Sequence, residues 1–343
     1  MLELLALESP AWAGFVGAMP GATPFHHPAW AAMIARCYRF EAFALALPAA
    51  SGTEQGYVAG FPVIELKSPV TRRRRWSCLP FTDECHALAQ PGEARRLADA
   101  VEELRVAKGV ADVEISGPLD GVPAFTSVKR INHVLLLDPD PAVVERGFRS
   151  SVRRNVRTAR GSGLTLRRAS TETDMVDTFY RLQVMTRHRL GLPPQPRGFF
   201  QGLWREVLSA GLGHLTIVES DGRPVAAGAF LRWNGVTIYK YGASDPAAWN
   251  LRPNNLLFAE EIRDACLAGC TAFHFGRTDV ADEGLRRFKA GWGAEELPLH
   301  STWFGASPRE ERAGPPAALR AVLRRSPEFV ARAIGNAIYR YAA

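Results

Sequence analysis

The stretch LRRFKAGWGAEELPL, residues 285–299, holds one lysine, Lys289, between Phe288 and the small pair Ala290-Gly291, just ahead of Trp292-Gly293. A lysine whose stem lies along aromatic rings and whose ammonium enters a cleft can stabilise an oxyanion or grip a phosphate. Phe288 and Trp292 would desolvate and strengthen that charge, and the glycines would let a substrate come close, with Trp292 as a substrate contact. The same residues also describe a lysine that snorkels to solvent from a packed turn. Upstream, Tyr239 and Tyr241 flank Lys240 in IYKYG. Alternation along a strand puts both rings on one side, as core residues or as substrate contact (Tyr239) and proton donor to a leaving group (Tyr241). Asn254 and Asn255 stand where a helix begins, with Arg252 beside them; they either cap the helix or, with its N–H groups, receive a phosphate. Arg277 and Asp279 follow a short strand at its C-terminal end, where α/β sheets place their sites, and Asp279 can accept a proton or pair with Arg277. His188 and the pair His26-His27 read as structural or solvated, and no serine or cysteine has the ordered histidine and acid of a nucleophilic triad. Cys266, Cys270 and His274 are spaced by four, but Gly269 ends a helix between them, so no metal site is expected.

These residues are positioned by elements that occur twice. PAWAAMIARCYRF has helical spacing; EAFALAL, the turn SGTEQG and YVAGFPVI read as a hairpin; RRWSCLPF leads through a loop to the helix ARRLADAVEELRVAKG and the strand VADVEISG. The second half repeats the order with FFQGLWREVLSAG, HLTIVE, SDGRP, VAAGAFL, VTIYKYGAS, NLLFAEEIRDACLAG and TAFHFG, and Gly60 and Gly228 occupy equivalent places. The pattern predicts an α/β (α+β) fold of two tandem domains, each a mixed β-sheet flanked by helices. The expected division is 1–147, a connecting helix at 148–164, 165–305 carrying the main site, and a basic amphipathic tail at 306–343.

In the connecting helix, Arg149, Arg153, Arg157 and Arg160 form a stripe beside an apolar arc of Phe148, Val152, Val156 and Ala159, so one side packs and the other faces either solvent or phosphate. TRRRRW, residues 71–76, is expected to guard a sheet edge. In the tail, Phe329, Val330, Ala333, Ile334, Ala337, Ile338 and Tyr341 share one helical face, with Arg332 and Arg340 outside it. Such a face docks on its own protein or meets a membrane surface.

With 343 residues, 47% of them hydrophobic, the chain can bury one large core or two medium ones. A net charge of +7 favours anionic partners, whether phosphate-bearing cofactors, RNA or an acidic membrane surface; DNA is not expected. Five scattered cysteines fit reduced thiols. MLELLALESP has no basic leader, and no run reaches the roughly 20 apolar residues of a membrane span. The expectation is a cytoplasmic protein that touches the inner face of the membrane at most.

The duplicated unit, the SSVRRNVRTARGSGL helix, the LPFTDEC loop and the closing FHFGR and LRRFKAGWGAEELPL segments resemble the Fem-type and BioF2-like acyltransferases, tandem GNAT-fold N-acyltransferases. The resemblance runs over roughly residues 25–304, and Phe288-Lys289 followed by Trp292-Gly293 is its most specific part. It implies two GNAT-like domains, with Phe81 and Asp83 of LPFTDEC among the substrate contacts. It also implies transfer of an acyl group to an amine acceptor (an amino sugar, long-chain amine or peptide), with no tightly bound cofactor. GNAT relatives take the acyl group from acyl-CoA; Fem enzymes take it from aminoacyl-tRNA for a cell-envelope precursor. The chain departs from both patterns, for the loop at 245–255 has no glycine, no long helical arm is present, and His274 stands where many relatives have Asp. Acyl-CoA is the preferred donor and aminoacyl-tRNA the rival. A non-catalytic binder of RNA or an anionic surface is the alternative from another class.

Overall fold

The computed structural model describes residues 1–50, 56–68, 71–305 and 316–339. The chain forms two compact units, one of residues 1–131 with 298–312 and one of residues 132–297 with 313–342.

The first unit opens with β1 (Glu3–Leu5), α1 (Pro10–Ala18) and α2 (Pro28–Tyr38), followed by β2 (Glu41–Pro48), β3 (Tyr57–Lys67), β4 (Arg74–Ser77), β5 (Leu88–Ala89), α3 (Ala94–Ala107) and β6 (Asp112–Ile115). β1, β2, β3 and β4 pair antiparallel in that order, and β4 pairs parallel with β6 across the α3 crossover. Trp12, Trp30, Phe61 and Trp76 are fully buried in its core. Gly60 is required there, since a side chain would collide with the Leu45 carbonyl and crowd Trp12. The arginine run does not guard an edge: β4 lies between β3 and β6, and Arg74 and Arg75 turn inward to bind the buried carboxylates of Glu65 and Asp112. Buried carboxylates persist only with such partners.

β7 (Ala124–Leu136) leads into the second unit, which continues with α4 (Pro141–Gly147), α5 (Ser150–Arg160), β8 (Leu164–Arg168), a wide turn at 174–179 running into α6 (Tyr180–Leu190), and α7 (Arg197–Gly202). Then come β9 (Gly213–Ser220), β10 (Arg223–Trp233), β11 (Val236–Ser244), α8 (Pro253–Leu267), β12 (Ala272–His274), β13 (Thr278–Asp279), α9 (Glu283–Ala290), β14 (Glu295–Gly305), α10 (Ala317–Arg325) and α11 (Glu328–Ile338). β9, β10 and β11 pair antiparallel, and β11 pairs parallel with β12 across α8, which repeats the β2–β3–β4–β6 pattern. The doubled element order is therefore a doubled topology.

The last strand of each repeat is exchanged. Residues 134–136 of β7 pair with β12, whereas residues 302–305 of β14 pair with β6. The compact units consequently follow these pairings instead of dividing at the connecting helix. α5 itself belongs to the second unit, where Val152, Val156 and Ala159 are buried and Arg149, Arg153, Arg157 and Arg160 stay exposed. α8 buries Leu256, Leu257, Phe258 and Ile262 in the same core, each burial worth about 1.5–3 kcal/mol.

The described part of the tail forms the two helices α10 and α11. Leu323, Ala331 and Gly335 are buried, and Gly335 fits against the Pro194 carbonyl where a side chain would collide. Phe329, expected on the docking face, is 68% exposed, since Ala331 and Gly335 set the buried direction. Tyr341 and Arg340 lie outside the described residues.

Candidate active site

β11 and β12 are held together only from Val236↔Ala272 to Ile238↔His274. Beyond that point β11 continues to Ser244 paired with β10, while β12 ends. The C-terminal ends of two parallel strands thus part beside the start of α8, the place where open α/β sheets receive ligands.

A register shift marks this gap. Phe230 pairs with Tyr239 and its neighbour Ala229 pairs with Tyr241, leaving Lys240 as the extra residue of a β-bulge. Adjacent residues of β10 face opposite sides, so their partners do too. Tyr239 and Tyr241 are therefore on opposite faces, contrary to the simple alternation of IYKYG. Tyr239 packs on Phe230 and Phe258, with ring centroids 5.4 and 4.7 Å away. Its hydroxyl lies over Gly242, where any side chain would collide with it. Burial pushes this phenol well above its ordinary pKa, so it remains protonated at neutral pH. Tyr241 instead packs on Phe199 and Phe200, and its hydroxyl accepts a 3.1 Å hydrogen bond from Gln195 Nε2.

The segment after β11 is tied by polar contacts. Ser244 Oγ accepts from Trp249 Nε1 at 3.0 Å and from Asn254 Nδ2 at 3.3 Å, and the Ser244 N–H donates to Thr186 Oγ1 at 3.2 Å. Arg189 stacks on the half-exposed Trp249 ring at 4.7 Å. Neither asparagine caps α8. The cap position is Arg252, in the left-handed conformation at φ 62°, and Pro253 occupies the first helical turn. Asn254 binds Ser244, and Asn255 is buried one residue further into the helix.

Lys289 answers for its unusual neighbours by pointing inward. It is 3% exposed, and Nζ donates to the Gly276 carbonyl at 2.6 Å and to that of Arg277 at 3.4 Å. The ammonium thus ties α9 to the loop leaving β12. Gly291 lets α5 approach, since a Cβ there would stand 2.9 Å from Val152 Cγ2, and its carbonyl accepts from the Arg149 N–H. Trp292 is fully buried among Phe148, Phe258, Phe275 and Phe288, inside the core and away from solvent. Arg277, on the loop that Lys289 holds, and Asp279, in the short β13 that follows it, are both exposed.

The structure therefore gathers Tyr239, Arg252, Asn254 and Asn255 around β11 and α8, and Lys289 with Arg277 at the end of β12. Phe81 and Asp83 belong to the first unit, where Phe81 takes φ 63° and packs on Tyr38. Sequence reasoning missed Ser244, Thr186, Trp249 and Gln195, which have no local motif; the bulge-adjacent Gly242 was the available cue.

One further cluster has ligand-like spacing: His214, Glu261 and Asp264. Its carboxylates are already taken. Arg168 binds Glu261 and Asp264, Arg232 binds Asp264 at 2.8 Å, and Thr216 and His214 donate to Glu261. Burial would raise the Glu261 carboxyl, but His214, Arg168 and Thr216 hold it below its ordinary range. This is an ion-paired brace between α8 and the sheet.

Residues 146–297 match the acetyltransferase (GNAT) domain family. Among solved structures the chain is similar to FemX, at 15% identity and a TM-score of 0.71 over 88% of this chain and 96% of that one. It is also similar to a conserved protein of unknown function from Bacteroides thetaiotaomicron (10% identity, TM-score 0.57, 88% and 99% covered). A third likeness is to the C-terminal DUF2156 domain of an Agrobacterium fabrum protein (13% identity, TM-score 0.53, 91% and 93% covered). No curated protein sequence matches the chain.

Proposed function

We propose that the protein is a GNAT-type acyltransferase that moves an acyl group from acyl-CoA to an amine by direct attack; the match of residues 146–297 to the acetyltransferase (GNAT) domain family and the likeness of the chain's fold to that of FemX support this reading. The observation that carries the donor site is the parting of β11 and β12 beside a bulge, with Tyr239 at that point. In this reading the thioester carbonyl lies in the gap where β11 and β12 part, and the phosphates lie toward Arg252 and the start of α8. The neutral amine attacks the carbonyl carbon, the carbon–sulfur bond breaks, and the departing thiolate takes the Tyr239 proton. The amine gives up its proton to solvent or to Asp279, and a proton from solvent returns to the Tyr239 phenolate, which burial keeps protonated. Lys289 acts by holding the Gly276-Arg277 loop in place.

Incubation with acetyl-CoA and a panel of amino sugars, long-chain amines and peptides should release free thiol in step with amide formation, and ribonuclease should have no effect. The exposed arginines of α5 favour the second reading, transfer from aminoacyl-tRNA. Activity abolished by ribonuclease and restored by charged tRNA would establish that donor instead.

The tail supports contact with an anionic membrane surface. No helix among the described residues is long and apolar enough to cross a membrane. Yet Val322, Phe329 and Ile338 are exposed beside Arg324 and Arg325, the combination that binds interfacially.

A further inference from the structure

The turn between β11 and α8 presents an aromatic ring to solvent beside the strand gap. Of the chain's eight tryptophans Trp249 alone is exposed, at 40%, whereas Trp12, Trp30, Trp76 and Trp292 are fully buried. A tryptophan gains most by burying its large apolar area, so an exposed one has area to offer a ligand. The ring is nevertheless fixed. It sits in the 3₁₀ turn Pro246–Leu251, which Asp245 caps by accepting from the Ala247 N–H at 2.9 Å. Its Nε1 donates to Ser244 Oγ at 3.0 Å, which ties it to the end of β11. A ring already held in place loses little freedom when something stacks on it.

The charge around this ring is positive. Arg189, in the last turn of α6, lies over it with the guanidinium carbon 4.7 Å from the ring centroid. Arg189 is exposed, and among the described residues no carboxylate or carbonyl binds its guanidinium. Burial lowers its pKa, and no neighbouring anion raises it again. Arg252 is likewise exposed without a carboxylate partner among the described residues, and its N–H donates to the Trp249 carbonyl at 3.1 Å. A phosphate alone would need no ring, and an apolar chain would gain nothing from two unpaired guanidinium groups. A nucleotide, which is both planar and anionic, uses both features.

We propose that Trp249 and Arg189 stack the adenine base of the acyl-CoA donor, leaving the edge of the Arg189 guanidinium for the ribose 3′-phosphate. This rests on the acyl-CoA reading above and adds to it the residues that select a nucleotide-bearing donor over a bare pantetheine thioester. The terminal adenosine of an aminoacyl-tRNA carries the same base but no 3′-phosphate, so that phosphate separates the two sources.

Adenosine 3′,5′-bisphosphate, titrated calorimetrically into the full chain, should bind more tightly than uridine 3′,5′-bisphosphate or adenosine 5′-monophosphate. Trp249→Leu should weaken it about tenfold, roughly 1.4 kcal/mol, whereas Trp249→Phe, which keeps a stacking ring but loses the bond to Ser244, should retain most of the affinity. Arg189→Gln should weaken it by a similar factor. In turnover, Trp249→Leu should raise KM for acetyl-CoA about tenfold at unchanged kcat and leave kcat/KM for S-acetylpantetheine, which has no nucleotide, as in wild type. If Trp249→Leu lowers the melting temperature, Arg189→Gln, on an exposed residue outside the turn, decides. Equal binding of the two bisphosphates, or undiminished affinity in the variants, would overturn the stack, while turnover of acetyl-CoA in the same preparation would leave the donor reading standing. Bisphosphate binding that depends on Trp249 without any turnover of acetyl-CoA would refute the donor reading instead. Equal affinity for adenosine 5′-monophosphate, with competition by tRNA, would give the stack to a tRNA end and overturn coenzyme A as its occupant.

Discussion

Replacing Lys289 by Met keeps most of the stem and removes the charge. The ammonium is 3% exposed and donates to two carbonyls, Gly276 at 2.6 Å and Arg277 at 3.4 Å. Hydrogen bonds from a charged donor contribute about 1.5–3 kcal/mol, the shorter one here carrying more. Their loss strands the buried Gly276 carbonyl, while relief from desolvating an ammonium offsets part of the cost. A net loss of about 2–4 kcal/mol is expected. For a unit of this size it corresponds to a fall in melting temperature of roughly 5–12 °C. Because the loop carrying Arg277 and Asp279 is the one released, turnover should fall by about tenfold or less, and KM should rise with it. Differential scanning calorimetry and steady-state kinetics on the same preparation give both numbers. A melting temperature within a degree of wild type, together with a kcat lowered a hundredfold at unchanged KM, would refute the tether and return the ammonium to the oxyanion.

Tyr239→Phe should lower kcat by about 10²-fold, the range of general-acid contributions, whereas Tyr241→Phe should change it little; equal losses would contradict the opposite-face assignment. Glu65 is buried beside Trp76 and paired with Arg74 and the exposed Lys67; burial alone would raise its carboxyl, but these partners bring it down to about 2. A depressed carboxyl stabilises fully above its unfolded pKa of 4.5, and that contribution, about 3 kcal/mol, is lost as pH falls toward 2. The drop in melting temperature between those pH values should shrink in Glu65→Gln, and an unchanged slope would exclude this carboxyl as its source. Vesicles containing an anionic lipid should sediment the full chain and neutral vesicles should not; Phe329→Glu should abolish the effect without altering turnover on a soluble amine.

The order of elements was readable because each depends on local periodicity. EAFALAL and HLTIVE alternate, and NLLFAEEIRDACLAG carries helical spacing closed by a glycine, so both hairpins and both crossover helices could be placed. α5 was readable for the same reason, with its valines inward and its arginines outward. The exchange of β7 and β14 was not, because a strand's partner is chosen by tertiary pairing. Neighbours in sequence usually pair in space, and here the rule fails at the one strand that closes each sheet.

At the site, what the sequence concealed was direction. Lys289 was recognisable as unusual from Phe288, Gly291 and Trp292, but the same setting fits an ammonium aimed at a substrate or at two main-chain carbonyls; only the position of the Gly276-Arg277 loop decides. The tyrosines fail differently. Period-two alternation assigns Tyr239 and Tyr241 to one face, and a single extra residue at Lys240 reverses one of them. The reversal has a chemical consequence, since it leaves Tyr239 at the strand gap and sends Tyr241 to Gln195 and two phenylalanines. Gly242 shows why the arrangement is tolerated: the Tyr239 hydroxyl occupies the space a side chain would need. Filling that space with Gly242→Ala should displace the hydroxyl and lower kcat as Tyr239→Phe does, with the second phenol, Tyr241, unable to compensate from the other side of the sheet.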